Sequence, residues 1–115
     1  MTTQFLVHRY NETCMLRHVV FFKFKPEVTA AARQDFVAML RALPAKIPEI
    51  VASEVGEDII GTPRSYHVAL ISTFAGRDTL DVYAKHPEHQ PVLARAREIC
   101  EAIAAVDFLT ADDRR

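Results

Sequence analysis

The sequence predicts an α+β fold of the split βαβ type, an antiparallel four-stranded sheet with helices packed on one face. Three observations carry that prediction. Runs rich in β-branched and aromatic residues occur at Leu16–Phe24, Ile50–Val55, Tyr66–Phe74 and Ala105–Leu109. Apolar residues between these runs recur at helical spacing instead. The order along the chain is strand, helix, strand, strand, helix in two pieces, strand, which is the order of a split βαβ unit.

Each element has a local cause. In Leu16–Phe24, alternation puts His18, Val20, Phe22 and Phe24 on one face and Val19 and Phe21 on the other. Both faces are apolar, so both are expected to be covered. Lys25-Pro26 ends the strand. Thr29 can cap the next helix, whose stripe is read as Ala32, Phe36, Met39 and Leu43. Pro44 is expected to stop it, because the residue before a proline disfavours helical angles. Gly56 allows an unusual backbone angle after the second strand. Residues Glu57–Ser65 form a polar loop. In the third strand Tyr66, Val68, Leu70, Ser72 and Phe74 share a face, and His67, Ala69, Ile71 and Thr73 share the other. Gly76 to Lys85 reads as a short helix with Leu80 and Tyr83 inward. After His86-Pro87 a further helix carries Val92, Ala96, Ile99 and Ile103 on one stripe.

Composition narrows the function classes. A chain of 115 residues is one domain. Net charge is −1, so no basic field points to nucleic acid or to an anionic membrane. No apolar run approaches the roughly 20 residues of a membrane helix. The N-terminus lacks the long apolar core of a signal peptide. Cys14 and Cys100 match no CxxC spacing and read as idle thiols in a reducing cytoplasm, the expected location. Residues 1–14 differ in texture from the rest of the chain. They read either as a flexible N-terminal extension before a domain of residues 15–110, or as a segment whose Phe5-Leu6-Val7 adds a strand or clasps a partner. Residues 111–115 read as a solvated tail.

Chemistry concentrates at Tyr83-Ala84-Lys85-His86-Pro87-Glu88-His89, which holds two of the five histidines. Histidine titrates near ~6.5 and can take a proton from carbon alpha to a carbonyl. A tyrosine hydroxyl can hydrogen-bond the oxyanion that forms. Tyr83 and His89 are six residues apart across a proline break, so they can converge. Each also has a structural reading. Tyr83 can be core with its hydroxyl bonded at the edge. His86 can bond backbone at a helix end, His89 can cap a helix, and His18 can be a satisfied core histidine. A metal held by His86 and His89 with Glu88 is disfavoured, because transition metals want three or four convergent ligands and the Pro87 break disturbs the geometry a helical pair would supply, even if His18 joined them. No cofactor is called for.

These segments together resemble the stress-responsive A/B barrel (Dabb) family. The matching stretches are His18-Val19-Val20-Phe21-Phe22-Lys23-Phe24-Lys25, Leu43-Pro44 with Ile47-Pro48, Glu54-Val55-Gly56, Tyr66 to Phe74, Tyr83 to His89, and Val106-Asp107-Phe108. The resemblance runs from about Met15 to Leu109. It implies a dimeric α+β barrel: two ferredoxin-like subunits packed sheet to sheet, with helices outside. One branch of the family is a plant polyketide cyclase that closes a linear tetraketide acid by aldol condensation. Similarity to that branch makes Tyr83 and His89 the matching catalytic pair and puts His18 and His86 at its pocket histidines. Val68 stands where that branch has an inward histidine in the third strand. His67 is one residue away and faces oppositely.

Two functions are expected on these grounds. In one, a homodimer binds a small hydrophobic carbonyl compound in a pocket between helices and sheet. His18, His86, Tyr83 and His89 supply its polar groups, Val20, Phe22 and Leu80 supply its wall, and the site performs cyclase- or isomerase-like acid–base chemistry. In the other, the chain is a non-catalytic, stress-related structural dimer in which the same residues form a buried network. A monooxygenase or haem protein, the third reading, is disfavoured by the absence of Trp.

Overall fold

The computed structural model describes residues 14–110. The expectations for residues 1–13 and 111–115 lie outside the described residues. The chain runs β1 (Leu16–Phe24), α1 (Ala30–Lys46), β2 (Ala52–Glu57), β3 (Val68–Phe74), α2 (Arg77–Lys85), a 3₁₀ turn (Pro87–His89), α3 (Gln90–Ile99) and β4 (Cys100–Leu109). The strands form one sheet in the order β2-β3-β1-β4. Every neighbouring pair is antiparallel. This is the ferredoxin-like arrangement expected from the sequence.

The helices cover one face. On it lie Val20, Phe22 and Phe24 of β1 and Val68, Leu70, Ser72 and Phe74 of β3, all buried. Phe36 of α1 is fully buried and meets two of the β1 rings edge-on, Phe22 at 5.1 Å and Phe24 at 6.0 Å between centroids. Such contacts add roughly 0.5–1.5 kcal/mol beyond area burial. The opposite face carries Val19, Phe21, Ile71, Val106 and Phe108. Phe21, Val106 and Phe108 are 37, 56 and 46% exposed there.

Several boundaries differ from expectation, each for a physical reason. Helix α1 begins as expected, with Thr29 Oγ1 accepting from Ala32 N–H at 3.1 Å. It does not stop at Pro44 but continues to Lys46, closed by Ile47 N–H donating to the Leu43 carbonyl at 2.9 Å. A proline this near the end removes one helical donor. Burial of Leu43 and of Ile47, which is 0% exposed and closes the last turn, outweighs that loss. Phe36, Val37, Leu40 and Leu43 make the inward stripe, and Ala32 and Met39 are only half-buried at its edge.

Strand β2 starts two residues late, because Ile47 and Ile50 are buried in the turn that leaves α1. The positive φ of 73° falls at Gly61 in the following loop, while Gly56 lies within regular strand. Ile103 is not on the last helix. Helix α3 ends at Ile99, and β4 starts five residues earlier than expected, pairing with β1 from Cys100↔Phe24 to Leu109↔Leu16. Ladder pairing along the whole of β1 prevails over a helical stripe that Ile103 would have extended.

Candidate functional site

Five elements converge at the open side of the helical layer. The inward residues of β1 and β4 form a floor, and α2, the 3₁₀ turn and α3 form a wall. Between them is a cavity of about 770 Å³ lined by His18, Val20, Phe22, Leu80, Tyr83, His89 and Asp107, among others. The cavity exists because β4 runs past the helices. Its inward residues Ile103 and Leu109 stay 46 and 67% exposed.

Local structure aims each polar group. Helix α2 is opened at Gly76, where Thr79 Oγ1 accepts from the Gly76 N–H at 3.2 Å and donates to its carbonyl at 2.9 Å. Leu80 and Tyr83, three residues apart, then share the inward side of the helix. His86-Pro87 ends α2. His86 Nδ1 accepts from Glu88 N–H at 3.1 Å and so caps the 3₁₀ turn. Gln90 Nε2 holds the turn closed by donating to the Ala84 and His86 carbonyls. This turn swings His89 back onto Tyr83, with ring centroids 4.0 Å apart and planes inclined by 28°. His18 stands edge-on to Tyr83 at 5.8 Å.

Of the residues singled out in the sequence, His18, Val20, Phe22, Leu80, Tyr83 and His89 line one cavity. His86 is not part of the lining, because its ring is used as a cap on the backbone. Val68 is buried in the core away from the cavity. His67 lies at the far end of β1, stacked on Phe24 at 5.5 Å with its Nδ1 accepting from Phe24 N–H at 2.9 Å.

Asp107 has no role assigned from sequence. It is the register partner of His18 across β1 and β4, and its Oδ1 is 2.5 Å from His18 Nδ1. The signal is present in period two. Ile103, Ala105, Asp107 and Leu109 share a face, and an acid on that otherwise apolar face needs a partner.

The electrostatics separate two roles. Burial pushes the Tyr83 hydroxyl up to about 12, so it stays protonated and can only donate or accept hydrogen bonds. Burial pulls His89 below its ordinary 6.5, with His18 and His86 adding to that, against the nearby carbonyls of Ala84 and Tyr83. Its imidazole is therefore neutral at pH 7, and among the described residues its buried Nδ1 has no hydrogen-bond partner. Cys100 is pushed up to about 11 by burial, which keeps it a thiol and a poor nucleophile. Among the described residues no group of three His, Cys, Asp or Glu side chains is placed to hold a metal ion. No helix among them is long and apolar enough to cross a membrane.

A single ferredoxin-like layer pair with an open, apolar cavity on its helical side defines the class of protein. Residues 16–110 match the model of the stress responsive A/B barrel domain, and the chain belongs to that family, Dabb. It is 32% identical over 98 residues to an uncharacterized protein of Streptomyces coelicolor, covering 79% of this chain and 96% of the relative. Among solved structures, a dimeric ferredoxin-like protein of unknown function from Bacteroides fragilis is 33% identical, with a TM-score of 0.69 over 82% of this chain and 94% of its own. A dimeric ferredoxin-like protein from Thermobifida fusca is 28% identical, with a TM-score of 0.76 over 84 and 92%. The hydroxynitrile lyase of Passiflora edulis is similar in fold, with a TM-score of 0.77 over 88 and 97% at 19% identity.

Proposed function

We propose that this chain is a homodimeric pocket protein that binds a small hydrophobic carbonyl compound and performs proton transfer on it with Tyr83 and His89. The observation that carries this reading is the cavity of about 770 Å³, apolar over most of its wall, with His18, Tyr83 and His89 along it. That volume is in the range of small-molecule sites, which are mostly apolar with a few convergent polar groups. A structural network would instead fill this space, and the buried Nδ1 of His89 would have a partner.

In the reaction His89, neutral at pH 7, takes a proton from the carbon alpha to the carbonyl. Tyr83, protonated, donates a hydrogen bond to the enolate oxygen as the negative charge moves there. The enolate carbon then attacks a second carbonyl of the same ligand, closing a carbon–carbon bond, or is reprotonated by the imidazolium to give an isomer. In the first case the imidazolium returns its proton to the alkoxide left on the attacked carbonyl, and in the second to carbon. No cofactor is needed for this sequence. His18, held by Asp107, offers a further polar group at the floor.

Dimerisation supports the same reading, because it covers the sheet face the helices leave bare. Val19, Phe21, Ile71, Val106 and Phe108 form that face, and the relatives from Bacteroides and Thermobifida are described as dimeric. Each such side chain withdrawn from water contributes roughly 1.5–3 kcal/mol when fully buried. Analytical ultracentrifugation should give a dimer, and Ile71→Asp, which puts a charge at the centre of the face, should give a monomer. The pocket is tested by calorimetric titration with aromatic and aliphatic keto acids. Saturable binding that Tyr83→Phe and His89→Ala weaken at least tenfold is the expected result. Absence of binding by the whole set would reject the pocket.

A further inference from the structure

We infer that the ligand of this cavity is an anion, a hydrophobic carbonyl compound that carries a carboxylate, and that Arg97 of α3 selects it at the rim. This rests on the pocket reading above and names its substrate class. The charged side chains in the lining are Arg77, Asp81, Arg97 and Asp107. Both acids have partners. Asp81 Oδ1 lies 3.6 Å from Arg77 Nε, and Asp107 Oδ1 lies 2.5 Å from His18 Nδ1. Among the described residues no carboxylate pairs with Arg97. Among the described residues, Arg97 is thus the one guanidinium of the lining without a carboxylate partner, and a guanidinium is a planar, permanently charged, bidentate donor suited to a carboxylate.

Position reinforces the chemistry. His89, Val92, Leu93, Ala96 and Arg97 all line the cavity from the same stretch of chain, at a spacing that keeps them on one side of a helix. His89 and Ala96 are buried and Arg97 is exposed. Arg97 is eight residues beyond His89, or about 12 Å along a helix axis at about 1.5 Å per residue. A ligand that reaches both places its apolar body on Val92, Leu93 and Ala96. Its carbonyl then lies at the buried Tyr83–His89 end and its carboxylate lies at the solvent edge. An ionised carboxylate at the buried end would be desolvated without a cation beside it, which is costly.

The test compares one acid with its neutral twin. The full-length protein is titrated by calorimetry at pH 7 with 5-oxo-5-phenylpentanoate and with the corresponding primary amide. The wild type should bind the acid at least tenfold more tightly than the amide, and the preference should shrink as salt is raised. Arg97→Gln should reduce the preference to within twofold while leaving the amide's affinity unchanged. Arg95→Gln, which removes a cation of the same helix that lies outside the lining and pairs with Glu98, should leave the preference intact. Equal binding of acid and amide by the wild type, or a preference that survives Arg97→Gln, overturns the inference while leaving the pocket standing. Binding of neither compound overturns the pocket reading and this inference together.

Discussion

A histidine–aromatic stack lies near each end of strand β1, and the two ends have been put to different use. At the far end, His67 lies nearly parallel to Phe24, with centroids 5.5 Å apart and planes inclined by 10°. At the cavity end, His89 lies on Tyr83 at 4.0 Å. The ring contacts are similar, but the fate of Nδ1 differs. In His67 it accepts the Phe24 N–H, which satisfies a backbone donor beside the point where the β1–β4 register shifts. In His89 it is buried and has no partner among the described residues, beside an open cavity. A stacked histidine is therefore not informative by its neighbours alone. What decides its role is whether its polar atoms are already engaged.

The comparison can be broken by substitution, and the largest effect on folding is expected at the structural end. His67→Phe keeps the stack but strands the Phe24 N–H. An orphaned donor costs about 1–3 kcal/mol, and the half-buried setting favours the lower figure. Urea denaturation should show that loss, and calorimetry should show ligand affinity unchanged. His89→Phe should do the reverse. It keeps the ring on Tyr83 and removes a buried atom that bonds to nothing, so stability should hold or rise by up to about 1 kcal/mol. Ligand affinity should fall about tenfold. If both variants behave alike in both measurements, the distinction between the two ends is wrong.

A pH series sharpens the same contrast with a smaller effect. His67 is held below its ordinary 6.5 by burial first, then by Arg33 and Lys23, against Asp58 and Glu101. His89 is also held below 6.5, again chiefly by burial. For both, the unfolded chain binds the proton more readily than the folded one. Stability is therefore greatest above about pH 6.5 and falls as pH is lowered from there toward the folded-state values. Denaturation midpoints measured from pH 7.5 down to pH 5 should decline. His67→Phe should remove one part of that decline and His89→Phe another. A flat profile in the wild type would mean that neither ring is protected from protonation by the fold.

Much of this is legible in the sequence, and the exceptions have physical causes. The ends of β1 can be read because its alternation is strong and Lys25-Pro26 closes it. The convergence of His18, Tyr83 and His89 is implicit in strand parity and helix spacing, with the His86-Pro87 break supplying the turn. The length of α1 is not legible, because local proline chemistry is weaker than the burial of Leu43 and Ile47 around it, which is a tertiary effect. The start of β4 is hidden because Ile103 fits a helical stripe equally well, and only the ladder with β1 decides between them. Asp107 escapes notice for a related reason. Its partner is 89 residues away in sequence and becomes a neighbour only through register. The cap made by His86 is readable as one of two uses. The choice between them depends on where the ring lies, which spacing does not specify.

The smallest expected effect concerns that register pair. His18 and Asp107 are 17 and 41% exposed, so their attraction is screened and contributes at most about 1 kcal/mol. Asp107→Asn keeps an acceptor for the imidazole and should change both stability and ligand affinity only slightly, by less than about 1 kcal/mol and about twofold. Asp107→Leu removes the acceptor and frees the ring to turn. It too should leave stability nearly unchanged, since an exposed ring can bond water instead. Its affinity loss should exceed that of the Asn variant, because His18 is then no longer fixed at the cavity floor. Calorimetric titration of the two variants separates these outcomes. If Asn and Leu cost the same affinity, Asp107 acts through its charge on the ligand and not by orienting His18. The open end of β1 would then differ from its closed end only in lacking a backbone donor to engage.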